Sequence, residues 1–206
     1  FLLLFEVVML LSLMGGSHRI MRDVEEAKQK YFAIMVNLTH ASLAALCYTN
    51  DIFTGYVFIE VCTIASCSLL MLSKRTRALV AATRYMIFSL IGSSLVLVGI
   101  ILLYSITGHL LFPQLYEAIG TLWSTGEYTF PLTIALGLIV SGLAIKSGMF
   151  PFHFWMPDTY GTATPSASGI LSGVVSKGYI FLLLKIIFRV IGYEVFLDSN
   201  IQYLLF

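Results

Sequence analysis

Long apolar runs separated by short polar stretches dominate this chain. A helix that spans a membrane needs about 20 mostly apolar residues, each adding about 1.5 Å of length. Runs near or above that length predict spanning segments at Phe1–Met14, Tyr31–Thr49, Ile52–Leu72, Ala81–Thr107, Phe130–Phe150 and Ser166–Val190. The first run is short, begins on Phe and follows no basic segment, so we expect a partial helix there and not a signal peptide. The pattern predicts an all-α, polytopic membrane protein.

The composition agrees with this class. Of the 206 residues, 58% are hydrophobic and only 11% are charged, whereas a soluble domain carries about 25% charged residues. Too little polar side chain is present to cover a water-facing surface, which excludes a soluble enzyme, a secreted scaffold and a disordered tail. The net charge of +1 argues against a nucleic-acid partner. The three cysteines follow no metal or disulfide pattern, and we expect no metal and no cofactor.

Basic residues between the predicted helices indicate an orientation. They lie in the first loop (Arg19, Arg22, Lys28 and Lys30) and in the third (Lys74, Arg75 and Arg77). Neither the second loop, around residues 50–51, nor the fourth loop, residues 108–129, contains a Lys or Arg. By the positive-inside rule, loops 15–30 and 73–79 are predicted to be cytoplasmic. Lys185 and Arg189 fall on the other side, near a helix end where long side chains reach the interface.

One segment of the fourth loop mixes apolar and polar residues at helical spacing. Residues 114–123 read Gln-Leu-Tyr-Glu-Ala-Ile-Gly-Thr-Leu-Trp. This pattern is typical of a short amphipathic helix at the membrane interface. An ordered loop without helical structure is the alternative.

Three ionisable side chains are expected deep inside spanning helices: Glu60, Lys177 and His40. Counting from the start of each run places Glu60 about 12 Å and Lys177 about 16 Å from the membrane surface. A charge at the bilayer centre costs at least about 2.5–3.5 kcal/mol. Such groups either carry protons or pair with one another to hold helices together. We favour the first for Glu60 and Lys177, because buried ion pairs are poor stabilisers; a neighbouring Ser or Thr could satisfy His40.

Small residues lead up to Lys177. Gly169, Gly173 and Lys177 are four residues apart, which predicts that they share one helix face. Ser168, Ser172 and Ser176 form the adjacent stripe at the same spacing. The small residues allow close packing of a second helix, and the hydroxyls could also hold water beside the lysine.

A second lysine precedes a predicted break in its helix. Lys146 is followed by Gly148 and Pro151, and Pro151 lacks the N–H that would continue the helix. Broken backbone at membrane depth occurs only where it is buried in protein or lines a wet cavity, and transporters place ion sites at such breaks. We therefore expect a discontinuous helix near Lys146–Pro151 and a functional role for Lys146.

From Lys146 to Asp158 the chain reads Lys-Ser-Gly-Met-Phe-Pro-Phe-His-Phe-Trp-Met-Pro-Asp, before a Thr-Pro-Ser linker and the helix of Lys177. Upstream, Asp51–Glu60 resembles a helix with a central glutamate, and Arg84-Tyr85 is followed by a Ser/Gly-rich apolar helix. From about residue 31 to 189, the chain resembles the antiporter-like proton-pumping subunits of respiratory complex I (subunits L, M and N), Mrp-type sodium/proton antiporters and membrane-bound hydrogenases.

The resemblance implies roles for individual residues. Glu60 matches the family's central glutamate, whose charge tunes a neighbouring lysine, and Lys146 matches that lysine. Lys177 matches the middle station of the proton path. His153 lies in a stretch that is more structural than proton-carrying, and His40 matches no motif of the family.

The resemblance also implies a function and an organisation. The chain would be a proton-translocating subunit, with or without Na⁺ exchange, of a redox-driven pump or Mrp-type antiporter in a bacterial or archaeal cell membrane. Its partners would be other membrane subunits, such as those of an NADH:quinone oxidoreductase or a hydrogenase. Residues 31–190 would form one five-helix antiporter repeat after a partial helix at 1–14, and residues 191–206 would begin a further, truncated segment.

Two alternatives remain at this point. The chain could be a redox subunit that binds quinone, although no Cys pair has cluster spacing and no two His lie one helical turn apart. It could also be a structural membrane subunit whose buried charges only pair with one another.

Overall fold

The computed structural model describes residues 1–74, 76–199 and 201–204, and for residues 202 and 204 it describes the backbone alone. Within these ranges every regular element is helical. The helices are α1 Leu2–Asp23, α2 Glu26–Tyr48, α3 Ile52–Met71, α4 Thr76–Thr107, α5 Phe112–Thr125, α6 Thr129–Ser147, α7 Met156–Thr162, α8 Pro165–Ile191 and α9 Tyr193–Asp198. Short 3₁₀ turns lie at His153–Trp155 and Ile201–Leu204. This confirms the predicted all-α, polytopic fold.

Six of these helices are long and apolar enough to cross a membrane: α1, α2, α3, α4, α6 and α8. They correspond to the six predicted runs, but several extend further. Residues 15–30, expected as a loop, are helical apart from the turn at Val24 and Glu25. Hydropathy finds only the apolar part of a helix, and polar helix-forming residues such as Glu26, Lys28 and Lys30 continue it beyond that part.

Two backbone contacts tie the helix connections together at opposite ends of the bundle. The α1–α2 turn meets the α3–α4 turn, where the N–H of Lys74 donates to the carbonyl of Asp23 at 3.1 Å. At the other end, the N–H of Ile52 donates to the carbonyl of Leu110 at 3.0 Å. We call the end with the Lys74–Asp23 contact the basic end, because the two predicted basic loops lie there. Arg75, which belongs to the second of these loops, lies outside the described residues.

Helices α4 and α6 lie closest because glycines face each other at their crossing. A Cβ atom added to Gly92 would lie 2.8 Å from the carbonyl oxygen of Gly142, and one added to Gly99 would lie 2.8 Å from that of Ala135. Only glycine permits backbones to approach so closely. This contact places the end of α6 against the middle of α4.

The amphipathic segment 114–123 lies within helix α5, so the alternative of a non-helical loop is wrong. Phe112, Leu115 and Ile119 are buried, whereas Tyr116 is exposed. Helix α5 packs against the last turn of α8. Its place at a membrane interface stays a prediction.

Candidate functional site

Two of the predicted site residues form an ion pair inside the bundle. The Nζ atom of Lys146, in α6, lies 2.8 Å from the Oε1 atom of Glu60, in α3. The side chain of Lys146 is fully buried, whereas that of Glu60 keeps 23% of its surface exposed. The lysine is therefore enclosed, and the glutamate retains space on one side.

The end of α6 holds the lysine in place. The helix ends at Ser147, and Gly148 adopts a left-handed conformation with φ of 70°. The N–H of Met149 then donates to the carbonyl of Ala144 at 3.0 Å, and the indole N–H of Trp155 donates to that of Ile145 at 3.3 Å. The predicted break is confirmed, although the helix ends before Pro151. A cation in the last turn of a helix also suits the negative end of the helix dipole.

Hydroxyl groups complete the surroundings of the pair. Ser93, from α4, donates to Oε1 of Glu60 at 2.5 Å. Lys146 also donates to Oγ1 of Thr63 at 3.0 Å, and its Nζ atom lies 5.6 Å from the ring centre of Tyr179. Neutral side chains from α3, α4 and α8 thus surround the pair and bind its charged groups.

The sequence pattern does not predict the roles of these hydroxyl residues. Thr63 follows Glu60 by three positions on α3, a spacing that puts both on one helix face, so a signal was present. Ser93 lies in the Ser/Gly-rich helix, where its hydroxyl has no feature that separates it from the other serines. Tyr179 follows Lys177 by two positions, and that spacing does not indicate a contact with Lys146.

Lys177 does not join the pair. It lies near the middle of α8, where its side chain is exposed on the outside of the described bundle. The sequence pattern predicted one face for Gly169, Gly173 and Lys177, and between them the structure has a π turn at Leu171–Val175, which changes the register of the helix. The extra residue in that turn rotates the following ones by about one position. Gly178, directly after Lys177, is buried, and a Cβ atom added to it would meet the side chain of Leu43 in α2.

The glycine stripe packs against α1. A Cβ atom added to Gly169 would lie 2.8 Å from Oγ of Ser12, and one added to Gly173 would meet the side chain of Val8. The packing role considered for the small residues therefore holds for these two positions.

The three stripe serines differ in their surroundings. Ser176 is buried and its hydroxyl lies 2.8 Å from that of Tyr160. Burial raises the pKa of Tyr160, so its phenol remains a neutral hydrogen-bonding group. Ser172 donates within its own helix to the carbonyl of Gly169 at 3.5 Å, and Ser168 is half-buried. Within the described part of the chain, the hydrogen bonds of Ser172 and Ser176 do not go to Lys177.

His40 and His153 lie away from the ion pair. The Nε2 atom of His40, in α2, lies 2.8 Å from Oε1 of Glu6, in α1, and both side chains are partly exposed. Thus His40 is satisfied by a carboxylate and not by a Ser or Thr. His153 is exposed and lies between the rings of Phe150 and Phe154, with ring centres 5.9 Å and 5.4 Å away.

Two other cations have structural contacts. Lys185 donates to the last carbonyls of α2, at 3.1 Å to Cys47 and also to Thr49, which satisfies groups that a helix end leaves free. Arg84, in α4, pairs with Asp158, in α7, and so connects the segment after the break to the bundle. Among the described residues, no group of three His, Cys, Asp or Glu side chains could hold a metal ion.

Comparison with known proteins identifies the chain's relatives. The family model described as "NADH:quinone oxidoreductase/Mrp antiporter, TM" matches residues 49–206. The chain is 33% identical over 164 residues to "NADH-quinone oxidoreductase subunit N" of Desulforudis audaxviator, and the match covers 79% of this chain and 32% of that protein. It is 30% identical over 155 residues to a subunit of the Na(+)/H(+) antiporter of Alkalihalophilus pseudofirmus, covering 75% of this chain and 30% of that protein. The chain thus spans about a third of the length of these relatives.

Solved structures give the same result for the fold. A chain of the membrane-bound sulfane sulfur reductase, an archaeal respiratory membrane complex, aligns with a TM-score of 0.78 at 25% identity, over 96% of this chain and 40% of that one. A chain of the Mrp complex from Dietzia sp. aligns with a TM-score of 0.65 at 25% identity, over 79% of this chain and 28% of that one. The fold of this chain is therefore similar to that of chains in membrane complexes.

Proposed function

Since the chain belongs to the NADH:quinone oxidoreductase/Mrp antiporter transmembrane family, we propose that it is part of a proton-translocating membrane subunit of a redox-driven pump or an Mrp-type antiporter. The observation that carries this proposal is the buried ion pair of Lys146 and Glu60 at the end of a broken helix. Its groups exchange protons, and it lies inside a bundle of membrane-spanning helices.

Stability alone is a weak reason for such a pair. Removing two charges from water is expensive, and well-packed apolar residues often stabilise a core as well or better. Apolar residues of α6, among them Val140 and Leu143, are already fully buried in the same helix. A proton-carrying role gives the charges a reason to be present.

The geometry allows Lys146 to alternate between holding and releasing a proton. Burial favours the neutral amine of a lysine, and a close carboxylate favours the ammonium form. Glu60 can change how strongly the ammonium form is favoured, because its side chain is partly exposed and is also bound by Ser93. If its carboxylate turns away from Lys146 toward its exposed side, the ammonium loses its nearby negative charge and releases the proton.

Lys177 is proposed as the next proton carrier. It lies near the middle of α8 and faces away from the described bundle. A charge in that position is costly against lipid, so the lysine should face other protein, either a further part of the subunit or a partner membrane subunit. Two similar chains of known structure belong, by their titles, to an archaeal respiratory membrane complex and an Mrp complex.

The proposal is tested by proton transport in inverted membrane vesicles that contain the complete complex. Lys146→Ala and Glu60→Gln are compared with Lys28→Ala and Glu25→Gln, which change a matched Lys–Glu pair that is exposed, at 2.8 Å. We expect the first two to lose most of the pH gradient and the second two to keep it, at equal amounts of assembled complex. A normal gradient in Lys146→Ala would contradict the proposal.

A further inference from the structure

A chain of buried hydroxyl groups leads away from the ion pair. Oγ1 of Thr63, which accepts from Lys146, lies 3.0 Å from the hydroxyl of Tyr179. That hydroxyl lies 3.4 Å from the hydroxyl of Tyr85, which lies 2.7 Å from Oγ of Ser66. Ser66 in turn can donate to the carbonyl of Thr63 at 3.0 Å. All four residues are at most 2% exposed, so the chain is closed to bulk water.

The positions of the four residues make the chain an inter-helical connection. Thr63 and Ser66 are one turn apart on α3, Tyr85 comes from α4 and Tyr179 from α8. Buried hydroxyls in a spanning helix can be satisfied by the carbonyl four residues earlier, as Thr63 is by Ile59 at 2.9 Å. A tyrosine hydroxyl lies too far from its own backbone for such a bond, so Tyr85 and Tyr179 depend on the chain itself.

When Lys146 is charged, every hydroxyl hydrogen of this hydroxyl chain can point away from the lysine nitrogen. An ammonium group only donates, so Thr63 accepts from Lys146. Thr63 has one hydroxyl hydrogen, so it can then turn from the carbonyl of Ile59 and donate to Tyr179. Tyr179 donates to Tyr85, Tyr85 to Ser66, and Ser66 to the carbonyl of Thr63. Every hydroxyl has one donor and one acceptor in this arrangement.

With Lys146 neutral, the same atoms can be satisfied in the opposite direction. A neutral amine has a lone pair, and Thr63 can donate to it by rotating its hydroxyl. Tyr179 then donates to Thr63, Tyr85 to Tyr179, and Ser66 to Tyr85. The reversal needs rotation of hydroxyl groups alone and moves no heavy atom.

We propose that Thr63 and Tyr179 are positioning residues for Lys146, and that their hydroxyl chain with Tyr85 and Ser66 satisfies the lysine nitrogen both as an ammonium and as an amine. This inference rests on the proposed function of the pair. The hydroxyl chain keeps the Nζ atom in one place while the charge of the lysine changes. Loss of either hydroxyl interrupts the hydroxyl chain next to the nitrogen and slows proton release.

The experiment is a double-mutant cycle on the initial rate of proton transport in vesicles that contain the complete complex. Thr63→Val and Tyr179→Phe remove one hydroxyl each and keep the size of the side chain. We expect Thr63→Val to lower the rate about tenfold, since a hydrogen bond to a charged group is worth about one factor of ten or more. Tyr179→Phe should lower it by a similar factor, because Tyr179 acts on Lys146 through Thr63. The double variant should also lose about tenfold, and not the roughly hundredfold loss of independent sites.

Two further variants separate a positioning role from a general loss of structure. Thr63→Ser keeps the hydroxyl and should keep most of the rate. Thr39→Val is the matched control, because Thr39 is also a fully buried threonine that donates to the carbonyl four residues earlier, at 2.8 Å. It lies in α2, and we expect it to keep the rate and to act independently of Tyr179→Phe.

The outcomes distinguish this inference from the proposed function. If Lys146→Ala abolishes transport while Thr63→Val and Tyr179→Phe leave it unchanged, or if the double variant loses the product of the two single effects, the hydroxyl chain is overturned and the proposed function stands. If Lys146→Ala itself leaves transport unchanged, both are overturned.

Discussion

At the scale of single residues, the site depends on space as much as on charge. A Cβ atom added to Gly92, in α4, would lie 3.0 Å from Cγ of Lys146 and 2.8 Å from the carbonyl oxygen of Gly142. The first contact would push the lysine stem, and the second would push α6 away from α4. The missing side chain of Gly92 therefore gives Lys146 its place beside Glu60.

The substitution Gly92→Ala should consequently disturb both folding and transport. We expect a loss of about 1–3 kcal/mol in the free energy of unfolding, the usual effect of inserting atoms into a packed core. Gly15→Ala, in spanning helix α1, is the control, because nothing lies within 4 Å of its added Cβ; it should be neutral or slightly stabilising. Thermal unfolding of the purified complex measures both, and equal stability of the two variants would contradict this account.

Sequence alone predicted the two charged members of the site and not their hydroxyl partners. A charge in an apolar run is conspicuous, because lipid disfavours it. A Ser or Thr in a spanning helix is not, because it can bond its own backbone, as Ser68 does with Ile64 at 2.9 Å. The packing of α3, α4 and α6 determines that Thr63 and Ser93 contact the pair.

At the scale of helices, the cations of α8 serve different purposes. Lys185 binds carbonyl groups at the end of α2, including that of Cys47 at 3.1 Å, and so joins α8 to α2. Arg189 lies one turn further along α8 and its side chain is exposed. The two residues have the same charge and neighbouring positions, but only the first has described bonds to a helix end.

We therefore expect Lys185→Met to destabilise the fold and to spare the chemistry. Leaving several carbonyls of α2 without a donor should lower the free energy of unfolding by about 1–3 kcal/mol, whereas Arg189→Met should change it little. Unfolding and the transport rate per folded complex are measured for both. A Lys185→Met protein of normal stability would refute the capping role.

The helices themselves were largely predictable, and their ends and registers were not. Apolar runs located all six spanning helices, since the length of such a run reflects the thickness of the bilayer. They did not show that α1 continues to Asp23, because polar residues can extend a helix into water. They also could not show the π turn at Leu171–Val175, because its five residues carry no distinct pattern and its effect is a change of register.

At the scale of the whole molecule, the charge distribution makes the orientation testable. The basic end carries Lys28, in the first turn of α2, and Lys74, whereas the connection at the opposite end that contains Glu127 has no Lys or Arg. We propose that the basic end is cytoplasmic, following the positive-inside rule.

Labelling of single cysteines tests this orientation. In a background without reactive native cysteines, a membrane-impermeant maleimide should label Lys28→Cys in inverted vesicles and Glu127→Cys in right-side-out vesicles; both positions are exposed. Labelling in the reverse pattern would place the basic end outside.

The central claim is that the pair of Lys146 and Glu60 carries protons and does not merely hold the helices together. The most direct test replaces both charges at once with apolar residues of similar size, in Lys146→Met/Glu60→Met. Because an apolar pair can stabilise a core as well as a buried ion pair does, this variant should assemble and unfold like the wild type. We predict that its vesicles form no pH gradient. A wild-type gradient in this charge-free protein would contradict the account and leave the pair a structural one.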